Sequence, residues 1–319
     1  MILFNLTKKP QNTNSKKLGK QYYSLTNPNA IKKRYKIVGV TPAGRRRYIE
    51  LLAPYLLKQR PLLNKHIFWL NTNNQRDICY IKDLCSKHPD FFQYMESEVP
   101  VNGNQSIANF FKQCVDDDTI YVRFDDDICW LADDALEKIV NFRINNPSYF
   151  IIFGNIINNA ICNWLHQRIG AIELDIGFRK DLGYDCMDSE SWAQGAIAET
   201  IHMSFLTHLK NKTYDTYKFD KWILKDYERF SINFMAFFGS DFSQFDGNVG
   251  KTEKGMIEEE PWLTEWWPKK IGRPNCICGD SLVSHFAFYP QREFLEESSE
   301  ILEKYREIGK KFNTNIIEI

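Results

Sequence analysis

The stretch that decides the fold is Thr119-Ile-Tyr-Val-Arg-Phe124, followed by Asp125-Asp126-Asp127 and Ile128-Cys-Trp-Leu131. β-branched and aromatic residues dominate the first six positions, which predicts a buried strand. Open α/β sheets bind ligands beyond the carboxyl ends of their strands, and three carboxylates stand there in this sequence. Adjacent carboxylates repel one another, and a divalent cation relieves the repulsion. The stretch therefore predicts an α/β fold with a metal site at one edge of its sheet.

Side chains alternate along an extended backbone, so Asp125 and Asp127 should point one way and Asp126 the other. We expect Asp127 to bind the metal directly and Asp125 to contact metal-bound water or a ribose. The alternative is an acidic loop that only caps the next helix, because Asp133 and Asp134 follow closely.

Composition restricts the class of protein. A chain of 319 residues can build one large α/β domain with additions or two small domains. With 43% hydrophobic and 14% aromatic residues it is expected to be folded and globular. The eight cysteines lack any CxxC pair, which argues against a zinc site or a disulfide framework. No apolar run approaches about 18 residues and no signal peptide is evident, so we expect a soluble, cytoplasmic protein.

The net charge of zero hides an asymmetry. Residues 1–49 contain twelve Lys or Arg and no Asp or Glu. Residues 1–34 are expected to form a flexible basic extension. A solvated arm is one interpretation, and peripheral contact with an anionic membrane surface is another. No nucleic acid partner is expected, since the rest of the chain lacks a basic patch interleaved with aromatic residues.

Strand and helix patterns alternate along the first half of the chain. Strands are predicted over 35–41, 66–70, 91–98 and 151–157, with helices over 51–56, 76–87, 105–114 and 135–145. This alternation implies a mostly parallel sheet covered by helices. The turn after the first strand, Pro42-Ala-Gly-Arg-Arg-Arg47, and the polar end of the second strand suit a nucleotide. The candidate residues for binding such a nucleotide, called the donor-binding residues below, are Thr41, Pro42, Ala43, Arg45, Asn71, Asp125 and Asp126.

These features resemble the nucleotide-sugar half of a GT-A glycosyltransferase, in which a DxD element ties a metal to the donor diphosphate. The likeness covers about residues 35–295 and assigns no sequence family. It implies a Rossmann-like mixed sheet in a single domain with acceptor-side additions. Residues 35–160 would bind the nucleotide sugar and 161–295 the acceptor, while 296–319 would form a carboxyl-terminal helix and tail.

The late segment Cys278-Gly-Asp-Ser-Leu-Val-Ser-His285-Phe-Ala-Phe-Tyr289 resembles the strand whose histidine completes the metal site in many members of this superfamily. His285 thereby joins Asp125 and Asp127 as a candidate ligand, and its nitrogen favours Mn²⁺ over Mg²⁺. The alternative is a histidine satisfied by hydrogen bonds in the core or at the surface.

Two further segments are candidates for catalysis and acceptor binding. Phe237-Phe-Gly-Ser-Asp241-Phe resembles the acidic loop that carries the base of inverting members, with Asp246 and Glu259 as rivals and an Asx turn as the alternative. Glu258-Glu-Glu-Pro-Trp-Leu-Thr-Glu-Trp-Trp267 looks like a loop near the acceptor, although its tryptophans suit a core equally well. Residues 178–207, with nearby Gly170, Gly177 and Gly183, are expected to form a mobile acceptor loop and helix. The candidate acceptor-binding residues are Glu259, Trp262, Trp266 and Trp267.

The resemblance implies an inverting glycosyltransferase that moves a sugar from a nucleoside-diphosphate sugar to a hydroxyl of a glycan, glycolipid or glycoprotein. A metal-dependent nucleotidyl or phosphoryl transferase is one alternative, although Pro42-Ala-Gly44 is a poor phosphate loop. A noncatalytic carbohydrate-binding protein of the same fold is the other.

Overall fold

The structure is a computed structural model that describes residues 31, 34–173 and 181–317, with side chains through residue 310. Almost all of the predicted basic extension, together with Gly177 and Phe178 of the predicted acceptor loop, lies outside the described residues. Within the described part of the chain, no helix combines the length and apolarity needed to cross a membrane.

The first half of the chain alternates strand and helix, as the sequence predicts. A short helix, α3, continues into a 3₁₀ turn before the strand that leads to the acidic triplet. The elements are β1 (Lys36–Ala43), α1 (Arg46–Lys58), β2 (Lys65–Leu70), α2 (Gln75–Lys87), β3 (Phe92–Glu96), α3 (Asn104–Ile107), the 3₁₀ turn (Ala108–Gln113) and β4 (Thr119–Phe124).

The second half is less regular and adds strands of both directions. Its elements are β5 (Ile128–Leu131), α4 (Ala135–Asn145), β6 (Ile152–Ile157), α5 (Ala160–Arg168), α6 (Gly195–Asn211), a 3₁₀ turn (Tyr214–Tyr217), β7 (Trp222–Leu224), β8 (Phe234–Phe238), α7 (Gly239–Ser243), β9 (Lys251–Thr252), β10 (Gly255–Met256), α8 (Glu259–Pro261), a π-helical turn (Trp262–Trp266), α9 (Trp267–Ile271), β11 (Asn275–His285), α10 (Tyr289–Glu297) and α11 (Ile301–Ile317).

One nine-stranded sheet joins the two halves, in the order β3-β2-β1-β4-β8-β6-β11-β5 with β7 paired to β11. The strands β3, β2, β1 and β4 are parallel, whereas β8 lies antiparallel between β4 and β6. The predicted mixed α/β fold is therefore confirmed. Helix α1 packs against β5 through an amphipathic face that includes Tyr48, Leu52 and Leu56.

The strand β11 brings distant residues to the acidic triplet. It pairs in parallel with β6 and, through its last residues, antiparallel with β5. The register with β5 shifts between Ser284 and His285, and such a bulge redirects a side chain. The N–H of Phe286 then donates to the carbonyl of Asp127 at 2.9 Å. This hydrogen bond fixes His285 beside Asp127.

Gly154 in β6 allows an aromatic ring to support the same region. A Cβ atom at this position would lie 2.2 Å from Cδ1 of Phe234, whose ring centroid is 5.0 Å from that of Phe124, the residue before the triplet. Both phenylalanines are fully buried, so neither ring can move without disturbing the core.

We expect Gly154→Ala to lower the free energy of unfolding by about 1–3 kcal/mol, the usual effect of overpacking a core. Urea denaturation of the purified variant measures this change. Gly309→Ala is the matched control, because its Cβ would meet Leu51 at an ordinary 3.6 Å within a helix. Equal stability of the two variants would contradict this account of Gly154.

Candidate active site

Asp125 is held in place at the end of β4 by the strand beside it. Its N–H donates to the carbonyl of Asn233 at 2.8 Å, and its Oδ2 accepts a hydrogen bond from Asn233 Nδ2 at 2.9 Å. Its Oδ1 accepts from Nη2 of Arg123 at 3.0 Å. Arg123 stands two positions earlier on the strand, so alternation brings both side chains to the same face.

Asp126 points away from this group, toward the turn between β1 and α1. The side chain is 3% exposed. It accepts a hydrogen bond from the N–H of Gly44 at 3.0 Å and forms a two-point ion pair with the guanidinium of Arg45. Burial opposes the charge of Arg45, but Asp126 and Asp127 raise the pKa of Arg45 above its ordinary value. Asp126 therefore anchors the β1–α1 turn to the triplet.

Asp127 lies beside two arginines and a histidine although it is only 1% exposed. Its Oδ2 is 3.0 Å from Nη2 of Arg45 and 3.6 Å from Nη2 of Arg292. Its Oδ1 is 3.3 Å from Nε2 of His285. Burial alone would raise the pKa of Asp127, but Arg45 and then His285 outweigh it and hold that pKa well below its usual range. Asp127 is therefore an anion in the folded protein.

Asp125, Asp127 and His285 form the candidate metal centre. One ligand atom from each lies within 4.8 Å of the others. Among the described residues, Oδ1 of Asp127 is buried without a hydrogen-bond partner, and so is Nδ1 of His285. Oδ1 of Asp127 and Nε2 of His285 face each other 3.3 Å apart. Two carboxylates and an imidazole in this arrangement fit a divalent cation.

Two adjoining cavities meet at this centre. The larger has a volume of about 530 Å³ and is walled by Asp125, Asp127 and His285 together with residues from α8 and the start of α10. The smaller, about 260 Å³, extends from Asp125 toward the β1–α1 turn. The residues that line both are Arg45, Gly103, Asn104, Arg123, Asp125 and Arg292.

The structure gathers most of the predicted donor-binding residues around the smaller cavity. Its lining includes Pro42, Arg45, Asn71, Asp125 and Asp126. The Asn71 side chain donates to the carbonyl of Gly103 at 3.0 Å, which fixes it at the cavity wall. Thr41 and Ala43 are fully buried and do not belong to the lining of either cavity.

Glu259 enters the larger cavity from α8 and is 5% exposed. Its Oε1 accepts from Nη1 of Arg123 at 3.2 Å, so one guanidinium links Glu259 to Asp125. Its Oε2 is buried and has no hydrogen-bond partner among the described residues. Burial raises the pKa of Glu259 to about 7, although Arg123 opposes the rise. This carboxylate can accept a proton near neutral pH.

The structure does not bring Asp241 to the candidate metal centre. Because β8 runs antiparallel to β4, Phe238 pairs with Ile120 and the carboxyl end of β8 lies at the opposite edge of the sheet from Asp125. The Asp241 carboxylate forms a two-point ion pair with Arg273, with distances of 2.6 and 3.0 Å. Asp241, the predicted base, therefore lies in an ion pair with Arg273 and does not belong to the lining of either cavity. Asp246 is exposed in the following turn and does not belong to the lining of either cavity.

The predicted tryptophan cluster also lies away from the cavities. Trp262 is 1% exposed, and its ring stacks on that of Trp267 at a centroid distance of 5.1 Å. Trp266 is half-buried against Trp262, 5.9 Å between centroids. Trp262 belongs to the hydrophobic core, and Trp266 and Trp267 pack against that core. This is the alternative that the sequence left open.

Several residues of the larger cavity were not singled out from the sequence. The sequence does mark Arg123 as unusual, because it is the charged residue in a strand of otherwise uncharged residues. Arg292 follows His285 by seven positions, but nothing in the sequence shows that α10 turns back toward Asp127. The others line the larger cavity from the start of α3, the loop 181–194 and the segment before β8: Gly103, Asn104, Met187, Trp192, Arg229, Ile232 and Asn233.

No protein-family model matches the chain, and no curated protein matches it. Among solved structures, it is similar to 4-diphosphocytidyl-2C-methyl-D-erythritol synthase from Anaerococcus prevotii DSM 20548, at 10% identity and a TM-score of 0.44 over 88% of this chain and 99% of that one. It is also similar to mannosyltransferase PcManGT from Pyrobaculum calidifontis in complex with GDP-Man and Mn²⁺, at 12% identity and a TM-score of 0.47 over 80% of this chain and 58% of that one. With TM-scores below 0.5, the assignment of function depends on the residues of the site.

Proposed function

We propose that this protein is a metal-dependent glycosyltransferase that moves a sugar from a nucleoside-diphosphate sugar to a hydroxyl group. The observation that carries the proposal is the position of Asp125, Asp127 and His285 between a smaller and a larger cavity. A donor of this kind has two parts joined by a diphosphate, and a metal centre at the junction suits the diphosphate.

The nucleoside would occupy the smaller cavity beside Pro42, Arg45 and Asn71. Asp127 and His285, with Asp125, would hold a divalent cation, and their mixed oxygen and nitrogen ligands favour Mn²⁺ over Mg²⁺. When bound, such a cation neutralises charge on the departing diphosphate as a Lewis acid.

Glu259 is the base in this proposal. An inverting transfer needs a carboxylate that removes the proton of the acceptor hydroxyl as that oxygen attacks the anomeric carbon. Glu259 supports this role because it reaches the larger cavity with one unpartnered oxygen and a pKa of about 7. Arg123 orients it by binding its other oxygen.

The acceptor would enter through the rest of the larger cavity. Trp192 and the exposed Tyr289 present aromatic surfaces there, and Glu258 and Arg229 present polar groups. Sugar rings combine apolar C–H faces with hydroxyl groups, and such a wall suits both. We therefore favour a glycan or glycoconjugate as the acceptor.

A panel of nucleotides and nucleotide sugars, assayed by thermal shift with and without Mn²⁺, tests the proposal and identifies the donor. The stabilising donor is then incubated with candidate acceptors, and the products are analysed by NMR. Release of a nucleoside diphosphate and a product of opposite anomeric configuration support an inverting glycosyltransferase. Release of pyrophosphate would indicate a nucleotidyl transferase, and a retained configuration would remove the need for Glu259 as base.

Asp127→Ala is expected to abolish both turnover and the Mn²⁺-dependent stabilisation by nucleoside diphosphate, because a buried anionic ligand is lost. Thermal shift measures the stabilisation. Asp133→Ala is the control, since it removes an exposed carboxylate paired only with Lys58 among the described residues. Unchanged Mn²⁺-dependent stabilisation in Asp127→Ala would refute the metal assignment.

Glu259→Gln is expected to lower kcat by about 10² to 10⁴ and to leave nucleoside-diphosphate affinity within about twofold, because the amide keeps the shape but accepts no proton. The pH profile gives a second readout. A base must be deprotonated, so wild-type activity should fall as pH drops through about 7, and the variant should lack that limb. A variant with wild-type kcat would exclude Glu259 as the base.

Asp241→Asn is expected to lower the free energy of unfolding by about 1.5–3 kcal/mol, since it removes a charged hydrogen-bond partner of the partly buried Arg273. The kcat of the folded variant should stay within about twofold of wild type. Chemical denaturation and steady-state kinetics separate the two effects. A large loss of kcat with unchanged stability would return Asp241 to the role that its sequence context suggests.

A further inference from the structure

Three arginines line both cavities, but they differ in what they bind. Arg45 forms a two-point ion pair with Asp126 and a further contact with Asp127. Arg123 binds Asp125 at 3.0 Å and Glu259 at 3.2 Å, and it is only 3% exposed. Both guanidiniums are therefore committed to carboxylates of the protein.

Arg292 is paired with a carboxylate less closely than Arg45 and Arg123 are. Its closest carboxylate oxygen among the described residues is Oδ2 of Asp127, 3.6 Å from Nη2, and it also interacts electrostatically with Glu296 one turn along α10. The same Nη2 lies 3.4 Å from the carbonyl of Ala287. Its Nε is buried and has no hydrogen-bond partner among the described residues. A buried N–H group without a partner is costly, so the protein alone does not fully satisfy this guanidinium.

The position of Arg292 fits an anion that bridges the two cavities. Its side chain is 26% exposed and lines both the 530 Å³ and the 260 Å³ cavity. It also approaches Asp127, a candidate metal ligand, so an anion bound at the metal centre would lie within reach of the guanidinium fork. Planar guanidinium groups bind phosphate oxygens through two parallel hydrogen bonds.

We propose that Arg292 binds the diphosphate of the donor and stabilises it as the leaving group, an inference that depends on the proposed function. The bond between the anomeric carbon and the diphosphate oxygen breaks, and both electrons stay on that oxygen. The acceptor oxygen forms the new bond to the anomeric carbon, and its proton goes to Glu259. Negative charge thus grows on the diphosphate, where the positive charge of Arg292 becomes more favourable than in the bound substrate.

Binding of matched ligands separates a diphosphate contact from a merely structural one. Calorimetry with Mn²⁺ present compares UDP with uridine and GDP with guanosine. The variants are Arg292→Gln, which keeps the stem but loses the charge, and Arg292→Lys, which keeps the charge but loses the fork. Arg306→Gln is the control, because it removes an equal charge from α11, where Arg306 is paired with Glu303.

Arg292→Gln is expected to weaken binding of the nucleoside diphosphate that the wild type prefers by about 10- to 100-fold, as charge-assisted hydrogen bonds are lost. Affinity for the matching nucleoside should stay within about twofold, and Arg292→Lys should fall between the wild type and Arg292→Gln. With substrate, Arg292→Gln should lower kcat more than it raises KM, because the charge develops in the transition state.

Other outcomes would overturn the inference. Equal weakening of diphosphate and nucleoside would mean that Arg292 shapes the nucleoside cavity, and unchanged diphosphate binding would mean that it makes no contact. In both cases the proposed function would stand, since wild-type binding would still depend on Mn²⁺. If the wild type bound neither UDP nor GDP with Mn²⁺, the proposed function and this inference would fall together.

Discussion

The burial of adjacent carboxylates at the end of β4 is the constraint on which the rest of the site depends. Asp126 and Asp127 are almost inaccessible to solvent, and an unpaired buried charge costs several kcal/mol. Arg45 compensates both from the turn before α1. The β1–α1 turn and the acidic triplet are consequently held together, which places the smaller cavity against the candidate metal centre.

A second guanidinium extends this electrostatic arrangement across the larger cavity. Arg123 contacts Asp125 with one side of its fork and Glu259 with the other. Burial raises the pKa of Glu259, Arg123 lowers it, and Asp125 raises it further. The proton affinity of the proposed base is therefore set partly by the charge at a candidate metal ligand. A single buried side chain, Arg123, thus connects a candidate metal ligand to the proposed base.

Local sequence patterns were sufficient to predict the parallel part of the sheet and the position of the acidic triplet. The alternation of strand and helix and the β-branched run before Asp125 can both be read from short stretches of sequence. The opposite directions of Asp125 and Asp126 also follow from local geometry. Strand direction in the second half does not. Nothing within Phe234–Phe238 shows that β8 runs antiparallel, yet that reversal decides that Asn233, not Asp241, reaches Asp125. The tryptophans of 262–267 likewise give the same sequence signal in a core as at a sugar site.

The bulge in β11 places His285 at the candidate metal centre only after distant parts of the chain have paired. Asp125 and Asp127 belong to the middle of the chain, whereas His285 arrives only when β11 has paired with both β6 and β5. Closing the long loop between these residues costs conformational entropy, which the pairing of β11 with β6 and β5 offsets. A chain that ends before β11 lacks the imidazole of His285 and also Arg292, which lines both cavities. The three candidate ligands therefore come together only in the completed sheet.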